Sequence, residues 1–175
     1  MAINSDPSIH NLVICANMFV KKDEHVLMIK RSLEKVYLPG YIQPIGGKVE
    51  INEEPLQAAK RELQEEAGIE VQNIRLEAVV TEVFLDKSEK YKCNWLIFHF
   101  SGEYVKKDVI NTNTEEGELI WITKQDIKKY KCLQQVKTIF EQLSFQQHSI
   151  IFSKNIWGNN TQELLSNESE SIECS

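Results

Sequence analysis

The sequence predicts a single domain of the α+β class, in which strands predominate and about two helices pack on them. β-branched and aromatic residues gather in short runs that polar turns separate, as they do in strands. Apolar residues recur at three- and four-residue steps in two segments, as they do in amphipathic helices. The chain has 175 residues, of which 42% are hydrophobic, so one domain can bury a core of its own.

Strands are predicted first near the N-terminus. The runs LVICANMFV (12–20) and HVLMIKR (25–31) flank the polar segment KKDE and have the composition of a strand pair. Three later runs are also predicted as strands, and SIIFSKNIW (149–157) is a candidate for a last one. The three later runs are LEAVVTEVF (76–84), NWLIFHF (94–100) and GELIWIT (117–123).

Two helices are predicted between these strands, PLQAAKRELQEEA (55–67) and LQQVKTIFEQL (133–143). Pro55 at the first helical position and Gly68 just past the end mark the limits of the first helix. The apolar stripe of the first helix consists of Leu56, Ala59, Leu63 and Ala67, and that of the second of Val136, Ile139, Phe140 and Leu143.

Composition limits the organisation and the partners of the chain. Residues 1–10 are predicted as a flexible polar tail, 11–157 as the globular domain, and 158–175 as a polar acidic tail whose composition indicates fraying or disorder. The longest apolar run is too short for a membrane span, and the four cysteines are scattered, so we expect reduced thiols in a cytoplasmic protein. The net charge of −6 disfavours binding to duplex nucleic acid, and a cation must mediate any contact with phosphates.

Three carboxylates, Glu62, Glu65 and Glu66, lie on one arc of the first helix, next to its apolar stripe. A charge run on a helix is usually a solvated face. Here, however, like charges four residues apart crowd the C-terminal half, where the helix dipole disfavours anions. The cluster therefore predicts a site for a hard cation such as Mg²⁺. Gly46 and Gly47, before the helix, allow a backbone carbonyl to approach a ligand, although such a pair most often marks an ordinary turn.

Residues 47–69 resemble the signature of the Nudix family, G-x5-E-x7-R-E-U-x-E-E-x-G-U. The matching residues are Gly47, Glu53, Arg61, Glu62, Leu63, Glu65, Glu66, Gly68 and Ile69. The order of strands and helices is similar to a Nudix domain over most of residues 11–145. The resemblance implies an α/β/α sandwich around a mixed sheet. It also implies Mg²⁺-dependent or Mn²⁺-dependent hydrolysis of a nucleoside diphosphate that is linked to another group.

The resemblance assigns roles to the residues of this signature. It implies that Glu62, Glu65 and Glu66 bind the metal, together with the carbonyl of Gly46. It also implies that Arg61 orients Glu62 by a bidentate contact, and that Glu53 holds a metal-bound water or an outer position. A water molecule would attack a phosphorus atom of the pyrophosphate bridge, with no unique carboxylate assigned as the base.

Many family members place a further acidic ligand or base before the strand that ends in tryptophan. The segment TEEGELIW offers Glu115 and Glu116 for this role, and Glu116 is favoured. The ordinary alternative is a solvated turn. This segment and the following TKQDIKKY resemble the branch that hydrolyses nucleoside triphosphates, including 8-oxo-dGTP, to a monophosphate and pyrophosphate.

Substrate contacts are expected from the cations around this signature and from one amide. Lys30 or Arg31, at the end of a strand, and Lys48 are candidates for phosphate binding, while a solvated strand end is an equal alternative for the first two. Family members that read oxidised purines often carry an asparagine three residues before the position of Gly46, and the resemblance implies that Gln43 makes similar hydrogen bonds to a base edge, while a plain loop glutamine is an equal alternative. The expected partner is therefore a small nucleotide.

Two other functions stay open. An ADP-ribose or nucleotide-sugar pyrophosphatase ranks second, because the chain lacks the proline that such enzymes commonly carry after this signature. A non-catalytic nucleotide-binding module is less favoured, because such modules typically lose signature carboxylates and this chain retains them all. Outside the signature, His99 is expected to face outward, and Trp95 and Trp121 are expected in the core.

Overall fold

The computed structural model describes residues 12–85, 91–105, 114–143, 149–158 and 164–173. Within these ranges nine strands form one mixed sheet, and one α-helix packs on each of its faces. This arrangement confirms the predicted α+β class and the α/β/α sandwich. The helices are α1 (Pro55–Ala67) and α2 (Gln134–Gln142), and a short 3₁₀ helix, Asp126–Lys129, precedes α2. The strands are β1 (Leu12–Lys22), β2 (His25–Arg31), β3 (Ile42–Gln43), β4 (Ile45–Lys48), β5 (Glu70–Leu85), β6 (Tyr91–Val105), β7 (Gly117–Thr123), β8 (Ser149–Trp157) and β9 (Leu164–Glu173).

The sheet runs in the order β3-β2-β1-β6-β5-β8-β9, with β4 also paired to β1 and β7 to β2. Two pairs, β1 with β6 and β5 with β8, are parallel, and the remaining pairs are antiparallel. Strand β6 therefore lies inside the sheet, between β1 and β5. Both faces of such an inner strand are covered when helices pack on both sides of the sheet.

Each face of the sheet carries its own apolar core. Residues of β1 alternate between the two, since Met18 packs with α1 and Phe19 packs with α2. The α1 side is closed by Ala58, Ala59, Leu63 and Ala67 of the helix, and the α2 side by Val136, Ile139 and Phe140. The predicted apolar stripes of both helices thus pack against the sheet.

The inner position of β6 explains why one expectation is wrong. His99 does not face outward, because it points to the α2 side of the sheet and is only 1% exposed. Alternation with Phe98 and Phe100 indicates an outward residue only when one face of a strand meets solvent. In β6 both faces are covered.

Strands β5 and β6 are longer than the apolar runs predict. β5 begins at Glu70 rather than at residue 76, and its polar first residues pair with the end of β6, as in Glu70 with Val105 and Gln72 with Glu103. Local composition does not indicate a strand there. The partner strand supplies the hydrogen bonds that keep this segment extended.

The C-terminal segment also departs from expectation. β8 forms as predicted, but residues 164–173, whose composition indicates fraying or disorder, form the antiparallel partner β9. Every side chain of β9 is exposed, so backbone pairing with β8 rather than apolar burial stabilises this strand. Its polar composition therefore does not predict a strand. Residues 1–10 lie outside the described residues, and the domain limits stay a prediction.

Two smaller expectations concern thiols and membranes. Cys15 and Cys132 are free thiols, and the side chains of Cys93 and Cys174 lie outside the described residues. Among the described residues, no helix has the length and apolar character needed to cross a membrane.

Candidate active site

Helix α1 is fixed at both ends, which sets the direction of its carboxylates. At its start, Glu54 and Gln57 form a reciprocal capping box, in which the Glu54 N–H donates to Gln57 Oε1 at 3.1 Å. At its end, Gly68 adopts a left-handed conformation with φ of 67°, and its N–H donates to the carbonyl of Gln64. The buried alanines of α1 press one side of the helix against the sheet, so its neighbouring acidic side lies beside β4.

Strand β4 brings a glycine backbone close to these carboxylates. Gly46 and Gly47 pair with Asn17 and Ala16 of β1. A Cβ atom on Gly47 would displace the carboxylate of Glu62 from its present position, so glycine permits this close approach. The pair is therefore more than an ordinary turn.

Arg61 connects three carboxylates. Its Nε and Nη2 atoms donate to the two carboxylate oxygens of Glu53 at 2.9 and 3.0 Å, and Nη1 donates to Glu62 at 2.9 Å and to Glu65 at 3.1 Å. The bidentate partner is therefore Glu53, and the expectation of a bidentate contact with Glu62 is wrong. Consecutive helix residues point about 100° apart, so Glu62 reaches Arg61 with a single oxygen.

The contact with Arg61 shifts the ionisation of Glu53. Hydrogen bonds from Arg61, and then from the Glu50 N–H, hold the pKa of Glu53 below its ordinary value. The same pairing with Glu53, followed by that with Glu62, raises the pKa of Arg61. Glu53 is thus an ionised partner of Arg61, and it does not line the cleft described below.

The other two helix carboxylates have opposite surroundings. Glu65 is exposed, with 58% of its side chain accessible, and it lies outside the cleft, so its role as a metal ligand stays a prediction. Glu66 faces inward, and its Oε2 atom is buried without a hydrogen-bond partner among the described residues. Burial, followed by the charges of Glu62 and Glu116, raises the pKa of Glu66 to about 7.

Of the two carboxylates predicted before β7, Glu116 lines the cleft and Glu115 does not. Glu116 Oε1 accepts a hydrogen bond from Lys35 Nζ at 2.7 Å, and Oε2 lies 3.8 Å from Arg31 Nη1. Glu115 is exposed. The structure therefore favours Glu116 over Glu115 as the acidic residue of this loop, and Lys35 is a cation near the site that the sequence analysis missed.

These residues surround one cleft of about 610 Å³. Its lining includes the three predicted substrate residues and four predicted metal residues, which are Arg31, Gln43, Lys48, Gly46, Glu62, Glu66 and Glu116. Lys30, the alternative to Arg31, is exposed and does not line the cleft. Trp95 lines the cleft and stacks on Tyr37 with ring centroids 6.0 Å apart, so it is not a core residue, whereas Trp121 packs against the core of the α1 side.

The inner part of the cleft contains buried polar side chains that the sequence analysis missed. Glu82 is 2% exposed and Gln135 is 7% exposed, and Gln135 Nε2 donates a hydrogen bond to Glu82 Oε1. Burial raises the pKa of Glu82 to about 7 and lowers that of His99 to about 3. One sequence signal could have indicated Glu82, because it lies between Val80 and Val83 in the run LEAVVTEVF and charged residues are rarely buried without a partner.

The residues of the cleft fit a hard divalent cation. In the described part of the chain, no three histidine, cysteine or acidic side chains already converge as a metal centre. Glu62, Glu66 and Glu116 nevertheless line the same cleft, and their mutual repulsion contributes to the raised pKa of Glu66. Carboxylate and carbonyl oxygens are the ligands that Mg²⁺ prefers, and a cation would satisfy the unpaired oxygen of Glu66.

The family match, two curated relatives and a solved structure all relate this chain to the same family. The NUDIX domain family matches residues 10–143. An 8-oxo-dGTP diphosphatase of Proteus vulgaris is 41% identical over 76 residues, which cover 43% of this chain and 67% of that relative. An 8-oxo-dGTP diphosphatase of Escherichia coli (strain K12) is 31% identical over 84 residues, 48% of this chain and 64% of that relative. The crystal structure of a MutT protein from Bacillus halodurans has a TM-score of 0.77 and 25% identity, and the match covers 90% of this chain and 97% of that one.

The chain therefore belongs to the NUDIX family, as its sequence signature predicted. Within the family it is a pyrophosphohydrolase of the MutT branch, since both the curated relatives and the solved structure fall there. Hydrolases of this family generally use a divalent metal and act on small nucleotides. The residues that line the cleft are the basis for proposing which metal and which nucleotide this chain uses.

Proposed function

We propose that this chain is a Mg²⁺-dependent enzyme that hydrolyses a nucleoside triphosphate to a monophosphate and pyrophosphate. The observation that carries the proposal is the cleft in which Glu62, Glu66 and Glu116 lie with the cations Arg31 and Lys48. Carboxylates beside cations suit a phosphate chain that binds together with a metal. A volume of about 610 Å³ is also within the ordinary range for a small-molecule site.

The bound cation would be held by Glu62, Glu66 and Glu116 with the carbonyl of Gly46. It would supply charge neutralisation at the phosphate oxygens and a more acidic water. Arg31 and Lys48 would bind the phosphate chain, and Arg61 would keep Glu62 in position through its contact with Glu53. Trp95 and Tyr37 offer aromatic surface for the base, and Gln43 offers an amide.

The proposed substrate is an oxidised purine triphosphate such as 8-oxo-dGTP. Support comes from two relatives that carry the name 8-oxo-dGTP diphosphatase, at 41% and 31% identity. The matched segments reach 67% and 64% of their lengths, and the substrate is therefore proposed by similarity.

A substrate panel with product analysis tests this proposal. The purified chain is incubated with Mg²⁺ and either 8-oxo-dGTP, dGTP, dATP, ADP-ribose or diadenosine tetraphosphate, and the products are separated by chromatography. We expect 8-oxo-dGTP to be converted fastest, with 8-oxo-dGMP and pyrophosphate as products. Faster cleavage of ADP-ribose would replace the proposed substrate, and no cleavage in the panel would favour a binding module.

Two variants distinguish the site from the rest of the surface. Glu116→Gln removes a cleft carboxylate, and we expect turnover to fall by at least about tenfold. Glu118→Gln changes an exposed residue of the neighbouring strand β7 and serves as the matched control, with activity unchanged. Equal activity in both variants would remove Glu116 from the proposed mechanism.

A further inference from the structure

A loop of residues 32–41 joins β2 to β3 and borders the cleft. Its two ends are tied together, because the Arg31 N–H donates to the carbonyl of Tyr41 at 2.9 Å. The Ser32 N–H donates to the carbonyl of Glu116 at 3.0 Å, so the start of this loop lies beside the segment that carries Glu116. Strands β2 and β7 are neighbours in the sheet, and both segments therefore leave it at the same rim of the cleft.

Lys35 is the one cation of this loop, and Glu116 is its only side-chain partner among the described residues. Its Nζ atom lies 2.7 Å from Glu116 Oε1, and 28% of the Lys35 side chain is accessible. Leu33 and Val36, on either side of Lys35, are exposed, so apolar packing does not hold this part of the loop. The ion pair is therefore the contact that fixes the ammonium group of Lys35.

The carboxylate of Glu116 cannot serve Lys35 and a divalent cation equally well. Its Oε1 atom accepts the hydrogen bond from Lys35, and its Oε2 atom lies 3.8 Å from Arg31 Nη1. A hard cation contacts carboxylate oxygens directly, and an ammonium group on the same oxygen repels it at short range. The Lys35 ammonium group and a cation held by Glu116 are therefore alternatives.

Lys35 has a second class of partner within reach when it leaves Glu116. The cleft beside it is lined by Arg31 and Lys48, the two cations proposed to bind a phosphate chain. Arg31 is fixed in direction, because its Nε atom donates to the carbonyl of Tyr37 at 2.9 Å. A lysine, in contrast, has a flexible stem and three rotatable donors, and phosphate oxygens accept strong hydrogen bonds from such a group.

We propose that Lys35 exchanges Glu116 for the phosphate chain of the substrate, and that it thereby couples metal binding to nucleotide binding. The inference rests on the proposed function, because it needs a phosphate chain beside Arg31 and Lys48. Lys35 weakens the binding of the metal alone, since it competes for Glu116, and it strengthens the binding of the nucleotide when metal is present. A purely structural role of Lys35 in the loop would not give these two opposite effects.

Binding of Mn²⁺ to the full chain without nucleotide tests the competition, with electron paramagnetic resonance reporting the free ion. We expect Lys35→Met to bind Mn²⁺ about three- to tenfold more tightly than wild type. This effect should disappear in a Glu116→Gln background, where Lys35→Met has no ion pair to remove. Lys60→Met removes the same charge from an exposed position of α1 and is the control, with wild-type affinity.

Binding of α,β-methylene-dGTP tests the contact with the phosphate chain, because this analogue resists cleavage between its α- and β-phosphates. With saturating Mg²⁺, we expect Lys35→Met to bind the analogue about tenfold more weakly than wild type. Lys35→Arg keeps the charge and should restore most of this loss. Lys60→Met again serves as the control and should bind as wild type does.

Other outcomes contradict the inference and the proposed function separately. Equal Mn²⁺ affinities of wild type and Lys35→Met would overturn the inference, as would tighter Mn²⁺ binding that persists in the Glu116→Gln background. Unchanged binding of the analogue by Lys35→Met would also overturn it, and triphosphate hydrolysis would still stand in all three cases. The expected competition for Mn²⁺ without hydrolysis of any triphosphate would contradict the proposed function alone.

Discussion

At the scale of single residues, Arg61 organises the acidic side of the site. One guanidinium group donates to Glu53, Glu62 and Glu65, and a further hydrogen bond joins Nη2 to the carbonyl of Lys48 at 3.1 Å. A planar group with several fixed donors can connect these acceptors at the same time, whereas a lysine ammonium cannot reproduce that geometry. The position of Glu62 in the cleft therefore depends on the guanidinium shape as well as on the charge.

Arg61→Lys is accordingly expected to lower kcat by about 10- to 100-fold while the fold is retained. The charge persists, but the bidentate contact with Glu53 and the link to Glu62 are lost together. Steady-state kinetics with the best substrate of the panel measure the effect. Lys60→Ala, at the exposed neighbouring position, is the control, and an equal loss in that variant would show that the effect is not specific to Arg61.

The raised pKa of Glu82 leads to a separate prediction about how the stability of the fold depends on pH. Burial raises its pKa from 4.5 to about 7, so between these pH values the folded state binds a proton that the unfolded state has lost. Its contribution to stability is therefore complete below about pH 4.5 and is lost as pH rises through about 7. The shift corresponds to about 3 kcal/mol of unfolding free energy.

Urea unfolding of wild type and Glu82→Gln across pH 4.5 to 8 measures this contribution. The variant has no titrating group at position 82. His99 and Glu66 are present in both proteins, so their contributions to the pH dependence cancel in the comparison. We expect wild type to lose about 3 kcal/mol relative to the variant as pH rises over this interval. A difference that is constant with pH would contradict a raised pKa for Glu82.

At the scale of elements, the limits of α1 could be predicted from the sequence to the residue. Pro55 begins the helix and Gly68 follows its end, because the proline ring suits the first turn and the glycine adopts the left-handed cap. The long strands β5 and β6 could not be predicted in this way. Their ends pair with each other through polar residues, and such pairing between distant segments leaves no local pattern.

The left-handed cap of α1 gives a prediction for this element. Gly68→Ala places a Cβ at φ of 67° and should destabilise the fold by about 1 kcal/mol, while Gly68→Asn should cost less because asparagine tolerates this region better. Denaturant unfolding of the three proteins at one pH gives the comparison. Equal stability of the alanine variant and wild type would contradict the left-handed cap.

At the scale of the whole molecule, the site combines one segment that the sequence identifies with several that it does not. The signature residues lie within 47–69, and their local spacing was enough to predict the carboxylates and the family. Glu82, His99 and Gln135 come from β5, β6 and α2, and only the pairing of the strands together with the packing of α2 on the sheet brings them to one cleft. Strand β9 was missed for a related reason, since backbone pairing with β8 leaves no apolar pattern in its side chains.

The central claim is that the cleft carboxylates hold a divalent cation that hydrolysis of a nucleoside triphosphate requires. The most direct measurement is a Mg²⁺ titration of 8-oxo-dGTP hydrolysis in wild type, Glu66→Gln and the control Glu118→Gln. We expect no turnover without Mg²⁺, saturation in wild type and in the control, and a loss of at least about 100-fold in Glu66→Gln. Turnover that persists in a chelator, or a Glu66→Gln curve identical to wild type, would contradict this account of the site.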